Sequence, residues 1–202
     1  MSRIGIMGGT FNPIHIAHVN MAKQAYKQAS LDKVLFMPSK NPPHKKSGDI
    51  LPADIRADMV KLAIQDIPYF KYSDFELKRE GTTYSAQTVE LLHRQCPDDK
   101  FFFIMGADSF FHIESWYHPE TIMKRVVLLP VGRDGSDKSA MEKHASYLKR
   151  KYDAKIKLIN MTQIHVSSSN IRNLIASGKN PSDYLAPSVW KYIRQNNYYR
   201  RH

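Results

Sequence analysis

The 202-residue chain predicts an open, doubly wound α/β fold on three observations. Short apolar runs alternate with stretches of helical spacing along the whole length. Several of those runs are apolar without interruption, as strands covered on both faces of a parallel sheet are. A glycine-rich turn joins the first run to the first helical stretch, and sheets of this kind bind ligands beyond the carboxyl ends of their strands. The class is therefore α/β and Rossmann-like, with helices on both faces of the sheet.

Taken in order, "RIGIM" (3–7), "KVLFMP" (33–38), "YFKYSDFEL" (69–77), "KFFFIMG" (100–106), "RVVLLPV" (125–131) and "KIKLIN" (155–160) have strand length. Between them, "IAHVNMAKQAYKQA" (16–29), "ADIRADMVKLAIQD" (53–66), "SAQTVELLHRQ" (85–95) and "MEKHASYLKRKY" (141–152) repeat apolar residues three and four apart. "SSSNIRNLIASG" (167–178) predicts a helix whose serines supply N-cap oxygens and whose Gly178 takes the left-handed position at its end. A last helix follows Pro187 through "SVWKYIRQN". The stretch "PSKNPPHKKSGDILP", just after the second strand, is the clearest loop.

Length favours one domain over residues 1–202, and 42% hydrophobic content is enough for a substantial core. The single cysteine, Cys96, excludes an intramolecular disulfide and fits a reducing, cytoplasmic setting. The N-terminus lacks a signal-peptide core and no run approaches a membrane span, so a soluble chain is expected. A formal charge of +11 favours anionic partners. The densest basic cluster (Lys149, Arg150, Lys151, Lys155 and Lys157) reads as a solvated helix face rather than a nucleic-acid groove.

The stretch "GIMGGTFNPIHIAH", Gly5 to His18, carries the chemistry. It completes neither the GxGxxG dinucleotide fingerprint nor the Walker loop ending in GK[ST]. What remains is a strand, a glycine turn and a helix whose first turn holds His15 and His18. Gly8 and Gly9 let backbone approach a bulky anion, and the N–H groups and dipole of the helix start attract it. Residues three apart share a helix face, so both imidazoles can address one anion. An accidental HxxH spacing and a zinc site are the alternatives, the latter weakened by the single cysteine and the missing HExxH. "VSSSNIR" offers the hydroxyls of Ser168 and Ser169, a second helix start and Arg172, a set suited to phosphates or, alternatively, an ordinary cap with a solvated arginine. "FFFIMGADSF" sets Gly106 and Asp108 at the ligand edge of a buried strand, where the carboxylate can accept from ribose hydroxyls or cap the next helix.

"GGTFNPIHIAH", "PSKNPPHK", "GADSF" followed by "WY", and "VSSSNIR" together resemble the bacterial nicotinate-nucleotide adenylyltransferases, within the nucleotidyltransferase superfamily marked by HxGH. The resemblance implies transfer of AMP from ATP to nicotinate mononucleotide, giving deamido-NAD and pyrophosphate. It implies an ATP site of Gly8, Gly9, Thr10, Phe11, His15, His18, Gly106, Asp108, Arg133, Ser168, Ser169 and Arg172, with His15, His18 and Arg172 catalytic. It also implies a mononucleotide site in which Lys45 meets the 5′-phosphate, Trp116 stacks on the pyridine ring, and backbone donors near Tyr84, Ser85 and Tyr117 hold the carboxylate. Ala17 stands where the signature has glycine, and "VGRDG" where the family often has an Arg-Pro-Gly loop. Mg²⁺ is expected to arrive with ATP, held by phosphates and water, with no protein metal ligand assigned. No nucleic-acid or membrane partner is expected, and a homo-oligomer is left open. Two competing readings are a sister adenylyltransferase acting on phosphopantetheine and a non-catalytic nucleic-acid-binding protein.

Overall fold

The structure, a computed structural model, describes residues 1–40, 50–133, 137–162 and 164–200, with the side chains of 133 and 137 left aside. Its centre is a seven-stranded sheet in which every pairing is parallel. Strand β1 (Arg3–Gly9) lies between β2 (Lys33–Pro38) and β4 (Lys100–Gly106), with β3 (Phe70–Tyr72) beyond β2 and β5 (Val127–Arg133) beyond β4. The order β3-β2-β1-β4-β5 reverses direction between β1 and β4, which opens a crevice at their carboxyl ends. Gly8 and Gly9 close β1 there, and Gly106 closes β4.

The helices connecting these strands are α1 (Ile16–Gln28), α2 (Ala53–Ile64), α3 (Ser85–Gln95), α4 (Ala107–Phe111), α5 (Pro119–Arg125) and α6 (Asp137–Tyr152). After them come α7 (Ser168–Ala176) and α8 (Pro187–Gln195). Two apolar clusters form the core: one around Phe36, Val34, Met59 and Ile104, the other around Phe101, Phe103, Leu128 and Ile122. β1 and β4 contribute to both because alternate side chains leave opposite faces of a strand. The uninterrupted apolar runs are thus explained by burial on both sides, as expected of a doubly wound sheet.

Two strands differ from the sequence expectation. "YFKYSDFEL" forms only the short β3, because the chain leaves the sheet after Tyr72. "KIKLIN" splits into β6 (Lys155–Ile156) and β7 (Ile159–Met161), which pair with β5 at Val127–Leu128 and at Val131–Arg133. Pro130, lacking an N–H for a ladder, falls between the two pairings. The Gln28 side-chain amide binds the outer edge of β7, donating to Asn160 O (2.7 Å) and accepting from Asn160 N–H (3.0 Å). The short helices α4 and α5 were beyond the helical pattern, and Cys96 is exposed at the end of α3. Among the described residues no helix is long and apolar enough to cross a membrane.

Phe36 is fully buried and packs its ring against Phe11 and Phe70. Phe36→Ala is expected to cost about 3–5 kcal/mol of stability, measured by urea unfolding.

Candidate active site

A cleft of about 700 Å³ opens at the crevice between β1 and β4. Gly8, Gly9, Thr10, His18 and Gly106 line one part of it, and Tyr84, Ser85, Trp116 and Tyr117 line another. The glycine turn is shaped by packing. Phe11 is buried with φ of 50°, and its ring lies where a Cβ on Gly9 would stand 3.0 Å from it, so any larger residue there would require the buried ring to shift by a few tenths of an ångström. Phe11 also meets His18 edge to face, with ring centroids 5.2 Å apart. Asn12 and Pro13 follow through a cis peptide bond.

His15 is the N-cap of α1 rather than a member of its first turn, and His18 lies one turn in. The two rings stack with centroids 3.7 Å apart, so the spacing of three does bring the imidazoles together. The His15 backbone N–H donates to His18 Nδ1 at 3.3 Å, which places the His18 ring proton on Nε2. His18 lines the cleft, while His15 lies behind it, 7% exposed, with Nδ1 buried and unpartnered. Burial holds the His15 imidazole at a pKa of about 4, so the ring is neutral at pH 7. Ala17, buried in α1, adds its methyl group to the core side of this turn.

The second helix start docks onto the same loop. Ser167, not Ser168 or Ser169, is the N-cap of α7, accepting from Asn170 N–H at 3.1 Å. Ser168 Oγ donates to Pro13 O (2.9 Å), and Arg172 Nη1 donates to Asn12 O (2.9 Å) with Nη2 on Ser169 Oγ (3.3 Å). Ser168, Ser169 and Arg172 therefore stand beside the cleft, tied to it through Asn12–Pro13, with further guanidinium N–H groups beyond those two bonds. Gly178 takes the left-handed position after α7, φ 73°, as the sequence predicted.

Trp116 packs edge-on against Phe103, and Tyr84 faces Tyr117 at 4.4 Å between ring centroids. Tyr84, the N-cap of α3, and Ser85, its first residue, line the cleft, at a helix start whose first N–H groups lack intrahelical partners. Asp108 is exposed on α4 and does not line the cleft; neighbouring Ser109 does. Arg133 ends β5, and Lys45 lies outside the described residues.

Sequence reasoning missed the groups that hold this geometry. Arg56, 1% exposed, donates to the carbonyls of Leu51 (2.9 Å), Thr10 (2.6 Å), Ser39 (2.8 Å) and Lys40 (3.3 Å). No carboxylate among the described residues pairs with it within salt-bridge distance. Burial accordingly lowers its pKa, the nearby Tyr199 and Asp54 opposing. Glu76, buried at the cleft wall, is pushed up by desolvation and accepts from Thr88 Oγ1 at 2.8 Å, which in turn accepts from Arg79 Nη1 at 2.9 Å. Thr83 Oγ1 is buried near this carboxylate, close enough to lower its pKa, yet makes no hydrogen bond of good geometry. A buried arginine within a helical pattern and a glutamate within an apolar run carry no local sequence signal for either role.

The profile of the cytidylyltransferase-like family matches residues 6–174. A protein of Lachnoclostridium phytofermentans named "Probable nicotinate-nucleotide adenylyltransferase" is 40% identical, covering 98% of this chain and 100% of its own length. One of the same name from Carboxydothermus hydrogenoformans is also 40% identical, covering 98% of each. Among solved structures, Plasmodium falciparum nicotinic acid mononucleotide adenylyltransferase complexed with NaAD superposes with a TM-score of 0.81 at 20% identity over 98% of both chains. That likeness bears on the fold alone.

Two outcomes are expected. Because folded His15 resists protonation while the unfolded ring takes it up near 6.5, stability is full above that pH and falls as pH drops toward 4. The loss is roughly 3 kcal/mol, absent in His15→Asn, and read from urea midpoints across that range. Arg56→Lys keeps the charge but loses the planar fork, and is expected to lower stability by about 2–4 kcal/mol in the same measurement at pH 7.

Proposed function

This chain belongs to the cytidylyltransferase-like family, among its nicotinate-nucleotide adenylyltransferases, and we propose that the cleft between β1 and β4 is where it transfers AMP from ATP to nicotinate mononucleotide. The products are deamido-NAD and pyrophosphate. The observation that carries the assignment to this cleft is the stacked His15–His18 pair at the start of α1, beside a glycine turn at the switch point of the sheet.

The reaction needs no protein nucleophile. An oxygen of the mononucleotide phosphate attacks the α-phosphorus of ATP; a new P–O bond forms as the bond to the bridging oxygen breaks, and pyrophosphate leaves with that electron pair. The chain's task is positioning and charge stabilisation. His18 donates from Nε2 to a phosphate oxygen, and His15, neutral and stacked against it, is the second imidazole of the catalytic pair. The N–H group of Thr10 and the positive end of α1 add to the cradle. Arg172, with Ser168 and Ser169, holds the leaving pyrophosphate. Gly106 admits the nucleoside closely, and Asp108 and Arg133 belong to its outer contacts.

At the other end, Trp116 stacks on the pyridine ring, and the N–H groups at the start of α3, near Tyr84 and Ser85, with that of Tyr117, receive the carboxylate. Lys45 meets the mononucleotide phosphate. Adenylyl transfer from ATP uses a divalent cation. Among the described residues no three His, Cys, Asp or Glu side chains group to hold a metal. We assign it as Mg²⁺, a hard ion that would arrive with ATP and neutralise phosphate charge.

The test measures pyrophosphate released from ATP with nicotinate mononucleotide, its amide or phosphopantetheine. Release is expected with the acid mononucleotide above the other two; none with it overturns the reading. His18→Ala is expected to lower kcat about a hundred- to a thousandfold with the fold intact by circular dichroism. A folded variant turning over at the wild-type rate removes His18 from the mechanism.

A further inference from the structure

Asn12 gathers contacts from three distant parts of the chain. Its main-chain oxygen accepts from Arg172 Nη1 at 2.9 Å, and its side-chain Oδ1 accepts from Leu51 N–H at 3.3 Å and from the Tyr199 hydroxyl at 2.7 Å. Tyr199 comes from the tail beyond α8, 187 residues away in sequence. Its backbone is left-handed, with φ of 65°, a conformation that costs a bulky side chain energy. Asn197, two residues earlier, is left-handed as well. Two such residues in one tail turn the ring back over the loop after β1. The phenol lies within the influence of both Arg56 and Arg172, and burial raises its pKa further from neutrality, so the hydroxyl stays a donor.

We propose that Tyr199 is a positioning residue for adenylyl transfer: by fixing the Asn12 side chain, its hydroxyl holds the Asn12 carbonyl where it docks the Arg172 guanidinium. The inference rests on the assignment of Arg172 to the pyrophosphate. Strain in a non-glycine backbone persists where surrounding contacts over-determine it, and such residues gather at working sites. Here the over-determining contact is the short bond to Asn12. Its neighbours in the loop are fixed from other directions: Thr10 O by Arg56 and Pro13 O by Ser168. The tail therefore completes the set of restraints on a loop whose following residues carry the histidines.

Steady-state pyrophosphate release tests this in the full-length chain. Tyr199→Phe keeps the ring and removes the hydroxyl; kcat is expected to fall about tenfold. KM for nicotinate mononucleotide should stay within about twofold, because Tyr199 bonds to the loop after β1 whereas Trp116 packs against Phe103 of β4. On an Arg172→Ala background the same change should cause no further loss, since a contact acting through Arg172 has nothing left to act on. Tyr198→Phe, which alters the neighbouring phenol, should retain wild-type kinetics. Placing 4-aminophenylalanine at 199 returns a donor to the same place and should recover kcat to within about threefold, and it serves as the test if the Phe variant does not fold. Wild-type kcat in a folded Tyr199→Phe chain, a full further loss on the Arg172→Ala background, an equal loss in Tyr198→Phe, or no recovery with the amino analogue would overturn the proposal. A wild-type chain that releases no pyrophosphate would overturn the assignment of the cleft instead.

Discussion

The buried guanidinium of Arg56 is the constraint on which the site's geometry depends. It lies with no carboxylate partner among the described residues, and its N–H groups go to main-chain oxygens in the connections after β1 and β2 and before α2. Burying an unpaired cation is costly, and the arrangement survives only because the carbonyls replace much of its lost hydration. Thr10 belongs to the turn after β1, Ser39 and Lys40 to the turn after β2, and Leu51 to the approach to α2. One side chain thus sets the separation of three backbone segments that a parallel sheet would otherwise leave to independent loops.

Around that point the chain concentrates the polar groups it buries. Asn12, His15, Arg56, Glu76, Thr83 and Thr88 are the buried polar side chains among the described residues, and they lie in or beside the connections that shape the cleft. A hydrophobic core needs none of them. Their interior placement costs desolvation, and the return is rigidity in loops that must present phosphate donors in fixed positions. This fits a reaction in which both reacting groups arrive on the substrates and the chain contributes geometry.

The fold was legible because its signals are local and repeated. Strands Lys33–Pro38 and Lys100–Gly106 and helix Ser85–Gln95 follow directly from uninterrupted apolar runs and helical spacing. The same periodicity overextended β3, because "YFKYSDFEL" alternates well beyond Tyr72 while its later residues serve the wall of the cleft, Glu76 among them. At the site, Gly8, Gly9, the two histidines and the Ser-rich helix start were visible as short motifs. The fine placement was not. That Ser167 caps, that His15 caps while His18 follows, and that Asp108 turns outward depend on one-residue shifts at helix ends. Arg56 and Tyr199 were invisible for a different reason: Arg56 binds main-chain oxygens, which leave no mark in the side-chain pattern, and Tyr199 reaches the Asn12 side chain from 187 residues away.

The amide of Gln28 has a consequence for the molecule in solution. An open sheet ends in rows of unpaired peptide groups, and such borders recruit foreign strands. At β7 the border is short, and Gln28 occupies both peptide groups of Asn160 with its own carboxamide, imitating the next strand with a side chain. A neighbouring polypeptide would have to displace that mimic before extending the ladder. The helix that carries the stacked histidine pair at one end therefore also shields the sheet edge at the other.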